Sequence, residues 1–211
     1  LFGALYIYDS NGKPTWLVMP GGSWDSTHLI YSGSLYAPSG SPFYAYDTGR
    51  FAAGNAKGTI TITFQDANDA IIDYVIGGIS GRKFLQREVF GSGPAVSNYT
   101  DLWWGGPSQN GWGITLLEQG TTLFGVWYTY DATGAPLWYV MPDGGWSASD
   151  TYTGHLYRTT GSPWIGTSYD PAILQVFDAG TFSIQFSGDN ASFTYSADGH
   201  GGTASLVREP F

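Results

Sequence analysis

The chain repeats itself, and no other feature narrows its fold as much. Residues 1–24, LFGALYIYDSNGKPTWLVMPGGSW, align without a gap to residues 123–146, LFGVWYTYDATGAPLWYVMPDGGW, at an offset of 122. Leu1/Leu123, Phe2/Phe124, Tyr6/Tyr128, Tyr8/Tyr130, Asp9/Asp131, Pro14/Pro136, Trp16/Trp138, Met19/Met141 and Trp24/Trp146 are all identities. The match resumes at an offset of 121, where YSGSLY (31–36) meets YTGHLY (152–157) and Gly40-Ser41-Pro42 meets Gly161-Ser162-Pro163. The copies close on Arg87-Glu88-Val89-Phe90 and Arg208-Glu209-Pro210-Phe211. Copy two also carries a leader, DLWWGGPSQNGWGITLLEQG (101–120), with no counterpart ahead of Leu1. The first repeat is therefore expected to lack its opening strands. Residues 1–5 read as the middle of a strand, as in a chain processed, truncated or only partly represented at its start.

The repeat is a β unit. Hydrophobic residues make up 42% of the chain and aromatics 17%, too many for a disordered segment, and 31 Gly with 11 Pro supply many turns. LFGVWYTYD alternates with the strand period, and DSNGKP and DATGAP are hairpin turn chemistry. Further strands are expected near residues 29–37, 59–65, 70–76 and 82–90, and near 151–158, 181–187, 191–197 and 202–207. The fold class is all-β: two tandem antiparallel meanders, each a small barrel or sandwich, with about eight strands in copy two and about six in copy one. The expected domains are residues 1–90, a flexible linker GSGPAVSN at 91–98, and residues 99–211. A six-stranded remnant would leave Leu1, Phe2, Leu5, Tyr6 and Tyr8 on a bare apolar edge, a template for pairing with another chain.

Eight Lys and Arg against 17 Asp and Glu give a net charge of −9. The basic residues are scattered, so a nucleic-acid backbone or an anionic membrane surface is a poor partner. No apolar run has the length of a membrane helix, and membrane insertion is not expected. With no cysteine, disulfides and thiolate chemistry are excluded. Only 12% of residues are charged, so the surface must be rich in Ser, Thr, Gly, Asn and Tyr. Such a surface suits hydroxyl-rich ligands or other copies of the chain.

Catalytic signals are weak. His28, His155 and His200 share no ligand spacing, and Ser34 stands where copy one would match His155. Glu88, Glu118 and Glu209 are the only glutamates, and a glycosidase needs two carboxylates across a sugar cleft. Arg87–Glu88 and Arg208–Glu209 read as structural pairs, and Glu118 as an edge or turn charge. Asp66, Asn68 and Asp69 read as a hairpin turn before they read as a calcium loop. No catalytic residue, metal ligand or cofactor is expected. Asn98-Tyr99-Thr100 and Asn190-Ala191-Ser192 match the glycosylation acceptor pattern.

Seven of nine tryptophans fall in copy two. Trp16/Trp138 and Trp24/Trp146 recur and are expected in the core or a loop plug. Trp104, Trp112 and Trp164 are the candidate platforms for stacking on a sugar ring.

Trp103, Trp104, Pro107, Gly111, Trp112, Gly113, Gln119, Gly120, Leu123, Phe124, Tyr130, Asp131, Gly134, Pro136 and Trp138 together carry a pattern. It resembles the GWG / LF-x-x-x-Y-x-YD-x-x-G-x-P-x-W tandem repeat of secreted proteins of Gram-negative bacteria. Gly105-Gly106 replaces the usual Asn before Pro107. The resemblance implies export and β structure, and transfers no catalytic residue. The expected function is that of an extracellular or cell-surface structural subunit without catalysis. Such a subunit would self-associate into a fibre or matrix by β-strand complementation. A polysaccharide-binding module using the tryptophans is the alternative, and a glycoside hydrolase is less favoured.

Overall fold

The structure, a computed structural model, describes residues 1–209; Pro210 and Phe211, the end of the second closing motif, lie outside the described residues. Strand accounts for 57% of the chain and helix for 3%, so the fold is all-β. The first unit comprises β1 (Gly3–Tyr8), β2 (Pro14–Met19), β3 (Gly22–Trp24), β4 (Ile30–Tyr36), β5 (Ala56–Phe64), β6 (Asp69–Ile76) and β7 (Ile79–Gln86). The second comprises β8 (Asp101–Trp104), β9 (Gly113–Gln119), β10 (Thr122–Tyr130), β11 (Pro136–Met141), β12 (Gly145–Ala148), β13 (Thr151–Thr160), β14 (Gln175–Ser187), β15 (Asn190–Ala197) and β16 (His200–Arg208).

Of the two architectures open to the sequence, the barrel is the one formed. In unit two the sheet runs β11-β10-β9-β8-β16-β15-β14-β13-β12, and a β11–β13 pairing closes eight strands into a barrel. The β8–β16 seam is short, Val207 opposite Trp104 and Arg208 opposite Trp103, and Arg208 reinforces it with a 2.7 Å ion pair to Asp101. In unit one the order β1-β2-β4-β5-β6-β7 traces the same path and stops. It forms a half-barrel in which, among the described residues, β1 and β7 are each paired on one side only.

Local chemistry explains the strand ends. Asp9 Oδ1 accepts the Asn11 and Lys13 amides, and Asp131 Oδ1 accepts those of Thr133 and Ala135, so one Asp-anchored turn joins each first hairpin. β7 starts at Ile79 rather than near residue 82. Gly77 and Gly78, at φ +59° and +82°, make a two-residue turn that places Ile76 opposite Ile79. β14 reaches back to Gln175, six residues before its expected start, with a register shift at Leu156/Tyr157. The short strands β3 and β12 lie in Gly-rich stretches that read as loop.

Three apolar clusters form. Trp103, Ile114, Trp127, Phe186, Phe193 and Leu206 belong to the barrel core, and Leu17, Met19, Leu35, Ile60 and Ile72 to the half-barrel core. The third cluster, with Trp16, Tyr128, Tyr130 and Trp138, lies between the units. β10 shows why a strand with almost no polar face is stable here. Leu123 and Trp127 point into the barrel, while Val126, Tyr128 and Tyr130 meet unit one.

Candidate functional site

The hairpins β1–β2 and β10–β11 pack against each other through reciprocal contacts, as in an isologous dimer. Trp16 Nε1 donates to Thr129 O at 2.9 Å, and Trp138 Nε1 donates to Ile7 O at 3.3 Å and Thr15 O at 3.1 Å. Gly161 N–H reaches Gly12 O at 3.0 Å, and Gly40 N–H reaches Gly134 O at 3.3 Å. Trp16 packs on Tyr128 and Tyr130, Trp138 on Tyr6 and Tyr8. A Cβ on Gly40 would stand 2.3 Å from the Tyr130 ring, and one on Gly161 2.6 Å from that of Tyr8, so glycine is required at both. Each Gly-Ser-Pro loop then drives its next residue into the other unit. Phe43 enters the barrel against Trp127, Tyr139 and Tyr195, and Trp164 covers Tyr74 of the half-barrel.

This packing changes the reading of the expected edge. Tyr6 and Tyr8 are partly buried, and their hydroxyls bond Thr115 and Thr159 at 2.7 Å each. Phe2 and Leu5 are partly buried, Phe2 in the inter-unit cluster and Leu5 against the half-barrel core. What stays open is the β1 main chain and the interior behind it. Matched positions measure the opening: Leu1 is 52% exposed against 2% for Leu123, and Leu85 41% against 1% for Leu206. In unit two that space is filled by Trp103 of β8 and by Ile114 and Leu116 of β9.

The three candidate tryptophans separate. Trp164 is a plug, with its ring on Tyr74 and the Lys83 ammonium 5.5 Å above it. Trp104 and Trp112 line an apolar cleft of about 450 Å³ between the units, beside Phe2, Trp16, Phe51 and Tyr128. Residue spacing could not place Phe51 there. Phe43 was also missed, although the recurrence of Gly-Ser-Pro before an aromatic in both copies was a usable signal.

The charged candidates make contacts within the fold. Glu118 is a buried residue inside β9 rather than an edge or turn charge, because its carboxylate accepts three amides, from Val96 (3.1 Å) and Ser97 (2.8 Å) of the linker and from Tyr99 (2.8 Å) just after it. Gln119 binds the Phe90 and Gly91 amides and donates to Glu88 O, so the linker is tied down rather than loose. Charge-assisted bonds of this kind contribute about 1.5–3 kcal/mol each before the cost of desolvation. Glu118→Ala should therefore lower stability by about 2–3 kcal/mol and admit protease within residues 92–98, as denaturant titration and limited proteolysis would show. Arg208 does not pair with Glu209, nor Arg87 with Glu88, because each arginine is engaged elsewhere. Arg208 pairs with Asp101, while Arg87 donates to Ala67 O.

The histidines stay apart. His28 sits in a turn at φ 55°, His155 lies 2.9 Å from Asp178, and His200 stacks on Tyr44. Asp66 Oδ1 accepts the Asn68 and Asp69 amides of its own turn. Among the described residues no group of three or more His, Asp or Glu could hold a metal ion. No helix among them is long and apolar enough to cross a membrane, which leaves β-barrel membrane proteins unaddressed. Comparison of the chain with family models, curated proteins and solved structures gives no match.

Proposed function

We propose that the protein is a non-catalytic extracellular structural module whose first unit accepts a β-hairpin from a neighbouring subunit of the same assembly. The observation that carries this reading is the contrast between matched positions, Leu1 and Leu85 open where Leu123 and Leu206 are covered. Unit two displays the chemistry of a hairpin that fits such edges. Two antiparallel strands of the β8–β9 kind pair with both free edges and present one Trp and two aliphatic side chains inward. Main-chain bonds along β1 and β7 would give affinity, and the apolar trough behind them register. Burying three such side chains contributes about 2 kcal/mol each. A contact passed in this way from subunit to subunit does not close on itself and yields a fibre.

A synthetic peptide of residues 101–119 supplies such a hairpin in trans. It should bind saturably at one per chain, raise the thermal midpoint by several degrees, and lower the mass of any self-associated species in sedimentation. A scrambled peptide should do none of these. A chain that stays monomeric at every concentration and ignores the peptide would overturn the proposal.

A further inference from the structure

The mouth of the closed barrel holds a second hollow, of about 520 Å³, whose lining has a different chemistry from the cleft. Its walls are Ser41, Tyr44 and Tyr46 from the unit-one loop, Ser108, Gln109 and Trp112 from the β8–β9 connection, and Trp127, Thr129 and residues 201–205 of the barrel. None of these carries a formal charge. β16 pairs with β8 only at Val207 and Arg208, so its main chain over residues 201–205 pairs with β15 alone. Trp127 is 1% exposed, and its indole N–H has no acceptor, one of two such buried groups among the described residues. An unsatisfied buried donor is costly, and a site of this size suits one small ligand.

Unit one shows that the hollow is not a by-product of the fold. At the matching positions it carries Leu5 for Trp127, Ile7 for Thr129, Lys83 for Ala204 and Phe84 for Ser205. There the larger Trp164 replaces Phe43, Lys83 donates to Thr167 O at 2.6 Å, and Tyr74 Oη accepts the Gly166 amide. An uncharged polar hollow of this kind therefore forms at the second barrel and not at the matching place in unit one.

We infer that this hollow binds one or two residues of a neutral saccharide. Aromatic faces beside hydroxyl, amide and main-chain groups, with no charge, match a ligand of apolar C–H faces and neutral hydroxyls. The Trp127 N–H would donate to a sugar oxygen. The absence of Lys and Arg argues against phosphorylated or acidic sugars.

The test is calorimetric and fluorescence titration with glucose, galactose, N-acetylglucosamine, cellobiose and diacetylchitobiose, with glucose 6-phosphate as an anionic control. At least one neutral sugar should bind saturably and the phosphate should not. Trp127→Phe, which keeps the ring but removes the donor, should weaken binding about tenfold. Trp127 is a core residue, so Ala204→Lys provides a second variant that copies unit one without disturbing the core. It should weaken binding by tenfold or more with an unchanged thermal midpoint. Failure of all five sugars overturns the inference, and so does binding that Ala204→Lys leaves intact. The hairpin proposal concerns the other unit and stands or falls separately.

Discussion

Trp103→Ala should destabilise the second unit by about 3–5 kcal/mol, the cost of a large aromatic removed from a core that cannot collapse around the gap. Trp103 is fully buried, packs edge-on against Phe186 at 5.4 Å between centroids, and donates from Nε1 to Tyr99 O at 3.1 Å. It sits on β8, whose seam with β16 is only two residue pairs long. Losing it should therefore do more than hollow the core. It should loosen the one junction that distinguishes the barrel from the half-barrel, exposing Leu123 and Leu206 as Leu1 and Leu85 are exposed in unit one. Denaturant unfolding would report the energy, and binding of an apolar dye the new surface. A loss below about 1 kcal/mol would mean that the seam does not hold the barrel closed.

The second large effect is an alkaline collapse. Burial pushes the phenols of Tyr6, Tyr128, Tyr130 and Tyr139 far above their ordinary value of 10.0. A group whose pKa is raised by folding stabilises fully below the unfolded value and loses that contribution as pH climbs towards the folded one. Stability should then be level with respect to these groups below pH 10 and fall above it. Each phenol accounts for about 1.4 kcal/mol per pH unit, and four together for roughly 5–6. Three of the four lie between the units, so the units should part as the protein unfolds. Phenolate absorbance and circular dichroism should change together in one steep step. Early, gradual titration with the fold intact would contradict the burial of these rings.

Much of the architecture is legible in the sequence because strand period, turn chemistry and the repeat agree. The offset between Leu1 and Leu123 already sets the two hairpins in register, and the Asp9 and Asp131 turns form as their residues require. The packing of one unit on the other was hidden. Tyr6 and Tyr8 follow an alternation that reads as core against solvent, and only the reciprocal contacts of Trp16 and Trp138 reveal that the second face is also buried. Glu118 was misread for a related reason: a carboxylate near a turn is usually solvated, and nothing local announces three amides converging on it. The polar hollow was equally invisible. It depends on Phe43 standing where copy two has Trp164, and on Ala204 standing where copy one has Lys83. Those differences acquire meaning only once the loops are seen to cross.

The central claim is that β1 and β7 are acceptor edges. Amide hydrogen exchange of both strands, with and without the peptide of residues 101–119, tests it most directly. At concentrations where the chain is monomeric, alternate amides of residues 3–8 and 79–86 should exchange quickly, while the β10 counterparts of residues 3–8, which pair with β9, exchange slowly. Added peptide should slow the amides of residues 3–8 by at least tenfold and leave unit two unchanged. Edges already protected in the lone chain, or unaffected by saturating peptide, would contradict the account.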